Sequence, residues 1–416
     1  MRPGYAPAGW DNLVNHARGQ GATDTELLES GLATMTRRGT LIDRFRDRAV
    51  FPIIHQDRIL GFVGRRNPAH TDETPHAGPK YLNTPSTALF TKGNQLYGAL
   101  PDLSRGDATP VLVEGPMDAH AITLATAGRY VGVAPLGTAL TESQASQLAA
   151  YPQAPIIATD ADLAGHVAAE KDHWLLAQHA ILPSRAILAA GSDPSDLLER
   201  GGPDALLDAL ENPVASSQVL LRERLDNMPA ETGLASAATV AASGDPTLWG
   251  EAAVAMATRF EVSDTQARTA LLAAVKEWNT DPRQVVRDQI SCSPDLRQRL
   301  EAQADLPPEQ RWAGTATRID ARLTSAADWP ALANLINQLH QEGHDVPRLL
   351  DDSIADNPHL GHTPAREMRY RLAAQASRTY QPCGNPPRRG IPTDLSPRFS
   401  HDRLTPPKDI GSGPTR

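Results

Sequence analysis

Cysteine is nearly absent from these 416 residues. Cys292 and Cys383 stand far apart, and no Cys-x-x-Cys pair exists, so neither a zinc ribbon nor a disulfide framework is expected. Two lone thiols fit a reducing cytoplasm. His55, His70 and His76 share no ligand spacing, and no metal role is expected of them. No apolar run approaches the ~20 residues that span a bilayer, and the opening MRPGYAPAGW has no signal-peptide pattern. A cytoplasmic chain without a membrane partner is the expectation. Aromatic residues make up only 5% of the chain while 35 residues are proline, so part of it is expected to be loop-rich or unfolded. Basic charge is short as well. The net charge of -9 argues weakly against a nucleic-acid partner, yet an average hides distribution. Residues 1–100 hold 12 Lys and Arg against 9 Asp and Glu, and the remainder holds 28 against 40. A basic approach surface beside an acidic pocket gives such a split, and so does chance.

What is present suffices for two or three domains with buried cores, with 40% hydrophobic and 21% charged residues. Residues 1–105 read as mixed structure. A helix is expected over 10–20, and a second over 24–29 with Asp24 as its cap and Gly31 as its stop. The strands AVFPII and ILGFVG flank a polar turn near Gln56, and the Pro- and His-rich stretch 67–79 is a loop. Residues 106–212 alternate strand and helix. VLVEG, YVGVAP, IIATDAD and RAILAAG are the strands, which predicts a parallel sheet covered by helices. Residues 213–376 read as helical throughout, with apolar residues at helical spacing such as Leu332, Leu335, Ile336 and Leu339, and no catalytic constellation stands out there. Residues 377–416 turn to Pro, Gly, Arg, Ser and Thr and are expected to be a disordered tail. No internal repeat is evident.

Ligands of such sheets collect at the carboxyl ends of the strands, where Glu114, Asp160 and Asp193 all fall. Asp162 follows Asp160 by two residues, a spacing that in extended backbone turns both side chains to one side. Carboxylates gathered this closely repel one another, and a divalent cation removes the conflict. Mg²⁺ takes one or two carboxylates plus waters and substrate phosphates, which is what phosphoryl transfer requires. The bland reading stands beside this. A strand-end Asp often only caps the next helix, which applies to Asp162, and Asp118 reads first as a helix-start residue.

Two segments carry a family likeness. VEGPMD resembles the glutamate motif of the Toprim domain, and TDADLAG resembles its Asp-x-Asp motif. Around them GYAPAGWDNL, DTELLESGLA, DRFRDRAVFPI, GFVGRR, PKYLNTPSTALFTKGNQLYG and PLGTALTESQ each resemble, in order, a stretch of the bacterial DnaG-type primase catalytic core. The likeness runs from residue 2 to about 212. It implies an α/β Toprim domain, a parallel sheet flanked by helices, over 106–212. This would follow a partial α+β primase subdomain over 1–105 and precede an all-α region over 213–376. It implies DNA-templated synthesis of short RNA primers from ribonucleoside triphosphates on single-stranded DNA, with Mg²⁺ or Mn²⁺. Glu114, Asp160 and Asp162 would be catalytic, and these three with Asp118 and Asp193 would hold metal. Lys80, Lys92, Arg65, Arg2 and Asn83 would meet template or nucleotide, with Tyr81 beside Lys80 on the same ridge. A replicative helicase or a mobile-element relaxase would be the protein partner.

The chain also departs from that family. Ser195 stands where the family's Asp-Pro-Asp carries its second carboxylate, with Asp196 next to it, and Leu163 stands where an Arg is common. The family's zinc ribbon and the first part of its core have no counterpart here, so the resemblance implies either a true start upstream or a shortened form of the kind found on mobile elements. Two other readings therefore stay open: a Toprim nuclease, in which water is the attacker, and a degenerate, non-catalytic DNA-binding accessory protein.

Overall fold

A computed structural model of the chain describes residues 3–55, 58–71, 73–74, 77–99, 107–136, 139–292, 306–342, 344, 346–355 and 357–379. Arg2, Gln56, His76, Cys383 and nearly all of the expected tail lie outside the described residues.

The chain opens with strand β1 (Gly4–Ala6), helices α1 (Asn12–Gly19) and α2 (Asp24–Glu29), and the short antiparallel pair β2 (Ala33–Met35) and β3 (Leu41–Asp43). Asp24 does not cap α2. Thr23 does, accepting the Glu26 N–H at 3.2 Å while the Glu26 carboxylate takes the Thr23 N–H at 2.8 Å. A Thr-x-x-Glu box satisfies two orphan donors at once, and Asp24 in the first turn pairs with Arg18 instead. Buried Asp43 caps α1 from a distance, taking the N–H groups of Leu13 and Val14 at 2.8 and 2.9 Å. Strands β4 (Arg48–His55), β5 (Arg58–Arg66) and β6 (Tyr81–Asn83) pair antiparallel in the order β1-β4-β5-β6.

The second sheet is built from β7 (Thr109–Leu112), β8 (Tyr130–Val133), β9 (Ile156–Ile157), β10 (Ser184–Arg185) and β11 (Val214–Ala215), in the order β11-β10-β9-β7-β8. Its first four strands are parallel, as expected, and β11 adds an antiparallel edge that the sequence reading had not separated from the helices. Its faces follow the two-residue period of strands. Val111, Val113, Ile156 and Ala158 point to one core, which also takes up Ile122, Leu206 and Leu210. Leu112, Val131, Val133 and Ile157 point to the other, with Leu148, Ala169 and Leu176. The covering helices are α3 (Pro116–Ala125), α4 (Glu142–Leu148), α5 (Leu163–Ala177) and α6 (Pro194–Glu211). Phe51, Ile53 and Val63 of the first sheet enter the core shared by α3 and α6, so the two sheets form one body around it.

From β7 the chain passes to β8 on one side and then returns to lay β9 on the other. The order reverses between β7 and β9, and such a switch point opens a crevice beyond the carboxyl ends of the two strands.

The rest is helical, as expected. Helices α7 (Ser216–Asn227), α8 (Ala230–Ala242), α9 (Trp249–Arg259) and α10 (Asp264–Thr280) close one apolar cluster, and α11 (Pro282–Ser291) packs back on α5 around Trp174 and Val286. A further bundle follows: α12 (Pro308–Arg311), α13 (Ala313–Ile319), α14 (Arg322–Ser325), α15 (Trp329–Gln341), α16 (Val346–Ala355) and α17 (Pro364–Thr379). Leu332, Ile336 and Leu339 are buried at its centre, with Leu335 partly so. Among the described residues no helix is long and apolar enough to cross a membrane.

Candidate active site

Glu114 follows β7 by two residues and Asp160 follows β9 by three, so both stand at the mouth of the switch-point crevice. They touch there: the Asp160 N–H donates to Glu114 Oε1 at 3.2 Å. Strands β7 and β9 are neighbours in register, with Leu112 opposite Ile157, and this brings residues 46 apart in sequence together.

The remaining acids stand at helix starts around this pair. Asp118 lies in the first turn of α3 and is buried. Asp162 caps α5, accepting the Gly165 N–H at 2.8 Å, and Asp193 caps α6, accepting the Asp196 N–H at 2.6 Å. Asp118 also reaches α6, where its Oδ1 accepts the Ser195 hydroxyl at 2.7 Å and the Ser195 N–H at 3.3 Å. Helix N-termini leave N–H groups unpaired and carry partial positive charge, which favours anions. The cap positions therefore hold carboxylates that would otherwise repel each other.

Their repulsion is nonetheless evident. Partial desolvation pushes the Glu114 carboxyl above its ordinary value; the Asp160 N–H acts the other way, and Asp162, Asp118 and Asp193 push it higher. Asp160 is pushed up to about 7, by desolvation first and then by Glu114, Asp118, Asp193 and Asp162. Burial also raises Asp118, against the Ser195 hydrogen bond that lowers it. All five acids singled out in the sequence thus share one electrostatic neighbourhood, while Asp162 and Asp193 each use an oxygen for capping.

The donor set is carboxylate oxygen alone, which suits Mg²⁺ or Mn²⁺ and not a thiolate-seeking metal. Among the described residues no group of three or more His, Cys, Asp or Glu encloses a cation by itself. One or two carboxylates completed by water and substrate phosphate is the arrangement Mg²⁺ favours, so the residues fit the ion.

The basic positions lie on the first sheet. Arg65 on β5 is the cross-strand partner of Tyr81 on β6, and its positive charge acts on the Tyr81 hydroxyl. That hydroxyl, pushed up to about 12 by burial, also feels Asp118 and Asp193. Tyr81 therefore reaches from the basic sheet to the acids. Exposed Lys80 places Nζ 5.8 Å from the Tyr81 ring centre. Asn83 Nδ2 donates to the Leu136 carbonyl at 2.8 Å, joining β6 to the chain beyond β8. Lys92 begins a short 3-10 turn, and Arg2 lies outside the described residues.

Three features had not been singled out. Trp10 and Tyr5 are 52% and 62% exposed, and the Arg46 guanidinium lies 4.7 Å from the Trp10 ring centre. Their aromatic character was the available signal. Ser195 had been read only as a missing carboxylate, and nothing local reveals a bond to a residue 77 positions away. Asp172, buried inside α5, is raised to about 7 by burial and by Glu114, and its helical context gave no signal.

In sequence and fold the chain is similar to DNA primases. The family model for the DNA primase catalytic core, N-terminal domain, matches residues 1–101, and a Toprim-like model matches residues 111–198. A DNA primase of Streptomyces coelicolor is 37% identical over 319 residues, covering 71% of this chain and 46% of that protein. A DNA primase of Clostridium acetobutylicum is 33% identical over 228 residues, covering 54% and 36%. The chain thus spans less than half the length of these relatives. The RNA polymerase domain of Mycobacterium tuberculosis primase DnaG is similar in structure with a TM-score of 0.52 and 30% identity, over 61% of this chain and 84% of that one. The same domain in complex with a double-stranded DNA oligomer bearing a 6-nucleotide overhang gives 0.50 and 29%, over 63% and 84%.

Proposed function

The chain belongs to the DnaG-type DNA primase family through its catalytic core and Toprim-like domain, and from that premise we propose that it joins ribonucleotides into short primers on a single-stranded DNA template. The observation that carries the reading is the Glu114–Asp160 contact at the switch point. It sets acids where a triphosphate and a primer end can meet.

Glu114, Asp160 and Asp118 offer oxygen ligands for Mg²⁺ or Mn²⁺, with Asp162 and Asp193 beside them. The bound ion supplies charge neutralisation on the phosphates and acidifies the attacking hydroxyl. The 3′-oxygen forms a bond to the α-phosphorus, the bond to the β-phosphate oxygen breaks, and pyrophosphate leaves. Glu114 accepts the hydroxyl proton, and its position is kept by the Asp160 N–H. Lys80, Lys92 and Arg65 hold phosphates of template or nucleotide, and Trp10 with Arg46 offers a face for base stacking. The M. tuberculosis domain that resembles this chain has been seen in complex with an overhanging DNA, which supports a DNA partner here. The cytoplasm is the proposed location, and a replicative helicase or a relaxase the proposed protein partner class.

The test uses the full chain, Mg²⁺ or Mn²⁺, labelled ribonucleoside triphosphates and several single-stranded templates. Short oligoribonucleotides are expected, and Glu114→Gln should lower their yield by on the order of 10²–10⁴. No product on any template, with Glu114→Gln binding Mn²⁺ and DNA as the parent does, sinks the reading. Cleavage of DNA or RNA without incorporation would favour a nuclease instead.

A further inference from the structure

Asp118 is the most enclosed of the five acids, at 7% exposure. Its two oxygens have different surroundings. Oδ1 accepts both the hydroxyl and the N–H of Ser195, at 2.7 and 3.3 Å, and is thereby held against the start of α6. The position of Oδ2 is given by Gly115: a Cβ built there would lie 3.3 Å from Asp118 Oδ2 and 3.6 Å from the Tyr81 hydroxyl. Oδ2 therefore lies on the side on which Tyr81 reaches over from the first sheet, and the Asp118 charge is felt by both Glu114 and Asp160.

A carboxylate held by one oxygen can neither rotate nor offer both oxygens to a cation. Ser195 is well placed to impose this. It is the second residue of α6, ahead of the kink at Gly202, and the cap of α6, Asp193, already holds the Asp196 N–H. The hydroxyl thus rides on a fixed turn, and α3 and α6 pack together along the same face of the sheet. The Asp118 backbone and the Ser195 backbone are both set before any ion arrives.

We infer that Ser195 is a positioning residue, which locks Asp118 through Oδ1 so that Oδ2 alone is presented to the divalent cation held with Glu114 and Asp160. This rests on the metal-dependent reading of the site given above. In this chain residue 195 then serves the cation through Asp118 rather than as a ligand of its own. Partners that orient a metal ligand commonly change affinity by roughly ten- to a hundredfold when removed.

The experiment is calorimetric titration of the nucleotide-free full chain with Mn²⁺ alone, on the parent, Ser195→Ala, Ser195→Thr and Glu114→Gln, with a thermal melt of each in EDTA. Ser195→Ala should bind Mn²⁺ roughly ten- to a hundredfold more weakly, and Ser195→Thr, which keeps the hydroxyl, should stay close to the parent. Equal Mn²⁺ affinity in Ser195→Ala and the parent overturns the inference, even if the Ala melt is lowered, because a purely structural link would move the melt alone. A Thr variant as weak as Ala overturns it as well. Failure of the underlying reading looks different. There the parent takes up no Mn²⁺, or Glu114→Gln takes it up unchanged.

Discussion

The Asp160 N–H donates to a Glu114 carboxylate oxygen at 3.2 Å, so the acid that leaves one strand steadies the backbone leaving its neighbour. The same acid feels the charges of Asp162, Asp118 and Asp193, and Asp160 in turn feels the charge of Glu114. In a metal-free protein that arrangement costs stability, since like charges are kept together. Glu114→Gln keeps an oxygen for the Asp160 N–H and removes the charge. Its melting temperature in EDTA should rise above the parent's, while primer synthesis in Mg²⁺ falls by on the order of 10²–10⁴. Differential scanning calorimetry and the labelled-nucleotide assay check the two halves. A lower melting temperature in EDTA would mean that the acids are not repelling one another.

Gly165 tests how tightly the Asp160 segment is built. A Cβ on Gly165 would come within 2.0 Å of the Asp160 carbonyl oxygen, which is backbone and cannot swing aside. The Gly165 N–H is also the donor to Asp162, and its carbonyl accepts the Thr159 hydroxyl at 2.9 Å. Gly165→Ala should therefore displace the whole turn carrying both aspartates. We expect a loss of about 1–3 kcal/mol in stability, the range seen for overpacked sites, and a loss of Mn²⁺ affinity. Unchanged Mn²⁺ titration and an unchanged melt would show that the turn accommodates the methyl group.

How much of this was legible depends on the range of the interaction. VLVEG and YVGVAP were readable as strands because both faces of β7 and β8 are buried, which leaves an unbroken apolar run. IIATDAD and RAILAAG were read too long. Regular strand covers only Ile156–Ile157 and Ser184–Arg185; beyond them the backbone is joined by single bonds, such as Ala158 N–H to the Leu112 carbonyl at 2.8 Å and Ala161 N–H to the Ser192 carbonyl at 3.0 Å. β11 has two residues at the start of a helix and carries no pattern of its own. Asp162 had two readings from sequence, cap and metal acid. Its bond to Gly165 is local and was foreseeable, whereas its electrostatic pull on Glu114 needed the fold. The Ser195–Asp118 bond crosses from α6 to α3, and no window along the chain contains both ends.

His173 gives a pH test outside the acid cluster. It is fully enclosed between α5 and α8, with Nε2 at 3.0 Å from the Ser243 hydroxyl, and burial, with Arg224 adding to it, pushes its pKa down to about 3. Above pH 6.5 the folded and unfolded chains both hold it neutral, so it carries no pH-dependent term. Below 6.5 the unfolded chain takes up a proton that the folded chain refuses, and stability is lost progressively towards pH 3. Asp160 and Asp172, raised to about 7, act in the opposite sense over part of this window. The informative quantity is therefore the difference between the parent and His173→Gln, which cannot titrate. The parent's melting temperature relative to the variant should be steady between pH 7 and 8 and should fall from pH 6.5 to 5. A difference that stays flat on acidification would mean that His173 takes up its proton in the folded chain too.

Glu170 and Arg224 form an ion pair with side chains 4% and 7% exposed, joining α5 to α7. Trp174 Nε1 donates to the same Glu170 oxygen at 3.2 Å, and Arg224 Nε donates to the Ser236 hydroxyl at 3.1 Å. Removing one partner leaves a charge buried without compensation, typically at about 3–5 kcal/mol, while replacing both by neutral groups is far milder. Arg224→Met should be severely destabilised, and Glu170→Gln in the same chain should restore most of the loss. Urea unfolding followed by tryptophan fluorescence reads this directly, since Trp174 is fully buried beside the pair. A double variant no better than Arg224→Met would show that packing of the Arg stem, rather than charge, holds α5 to α7.

Lys80 separates template binding from chemistry. It is exposed just before β6, its carbonyl accepts the Arg66 N–H at 2.8 Å, and its ammonium lies 5.8 Å from the Tyr81 ring centre. Among the described residues its ammonium forms no ion pair and meets only the Tyr81 ring, so Lys80→Ala should melt close to the parent. If the ammonium meets a phosphate, its loss removes one released counterion, and the slope of log affinity against log salt for single-stranded DNA should become shallower by roughly 0.7. The weakening should be similar for every template sequence, because phosphate contacts position the strand without reading it. Mn²⁺ affinity should not change, since Lys80 touches none of the acids. Fluorescence anisotropy of a labelled oligonucleotide across a salt series measures the slope. An unaltered slope would place the template elsewhere, whereas a lost Mn²⁺ site would mean that Lys80 shapes the acid cluster itself.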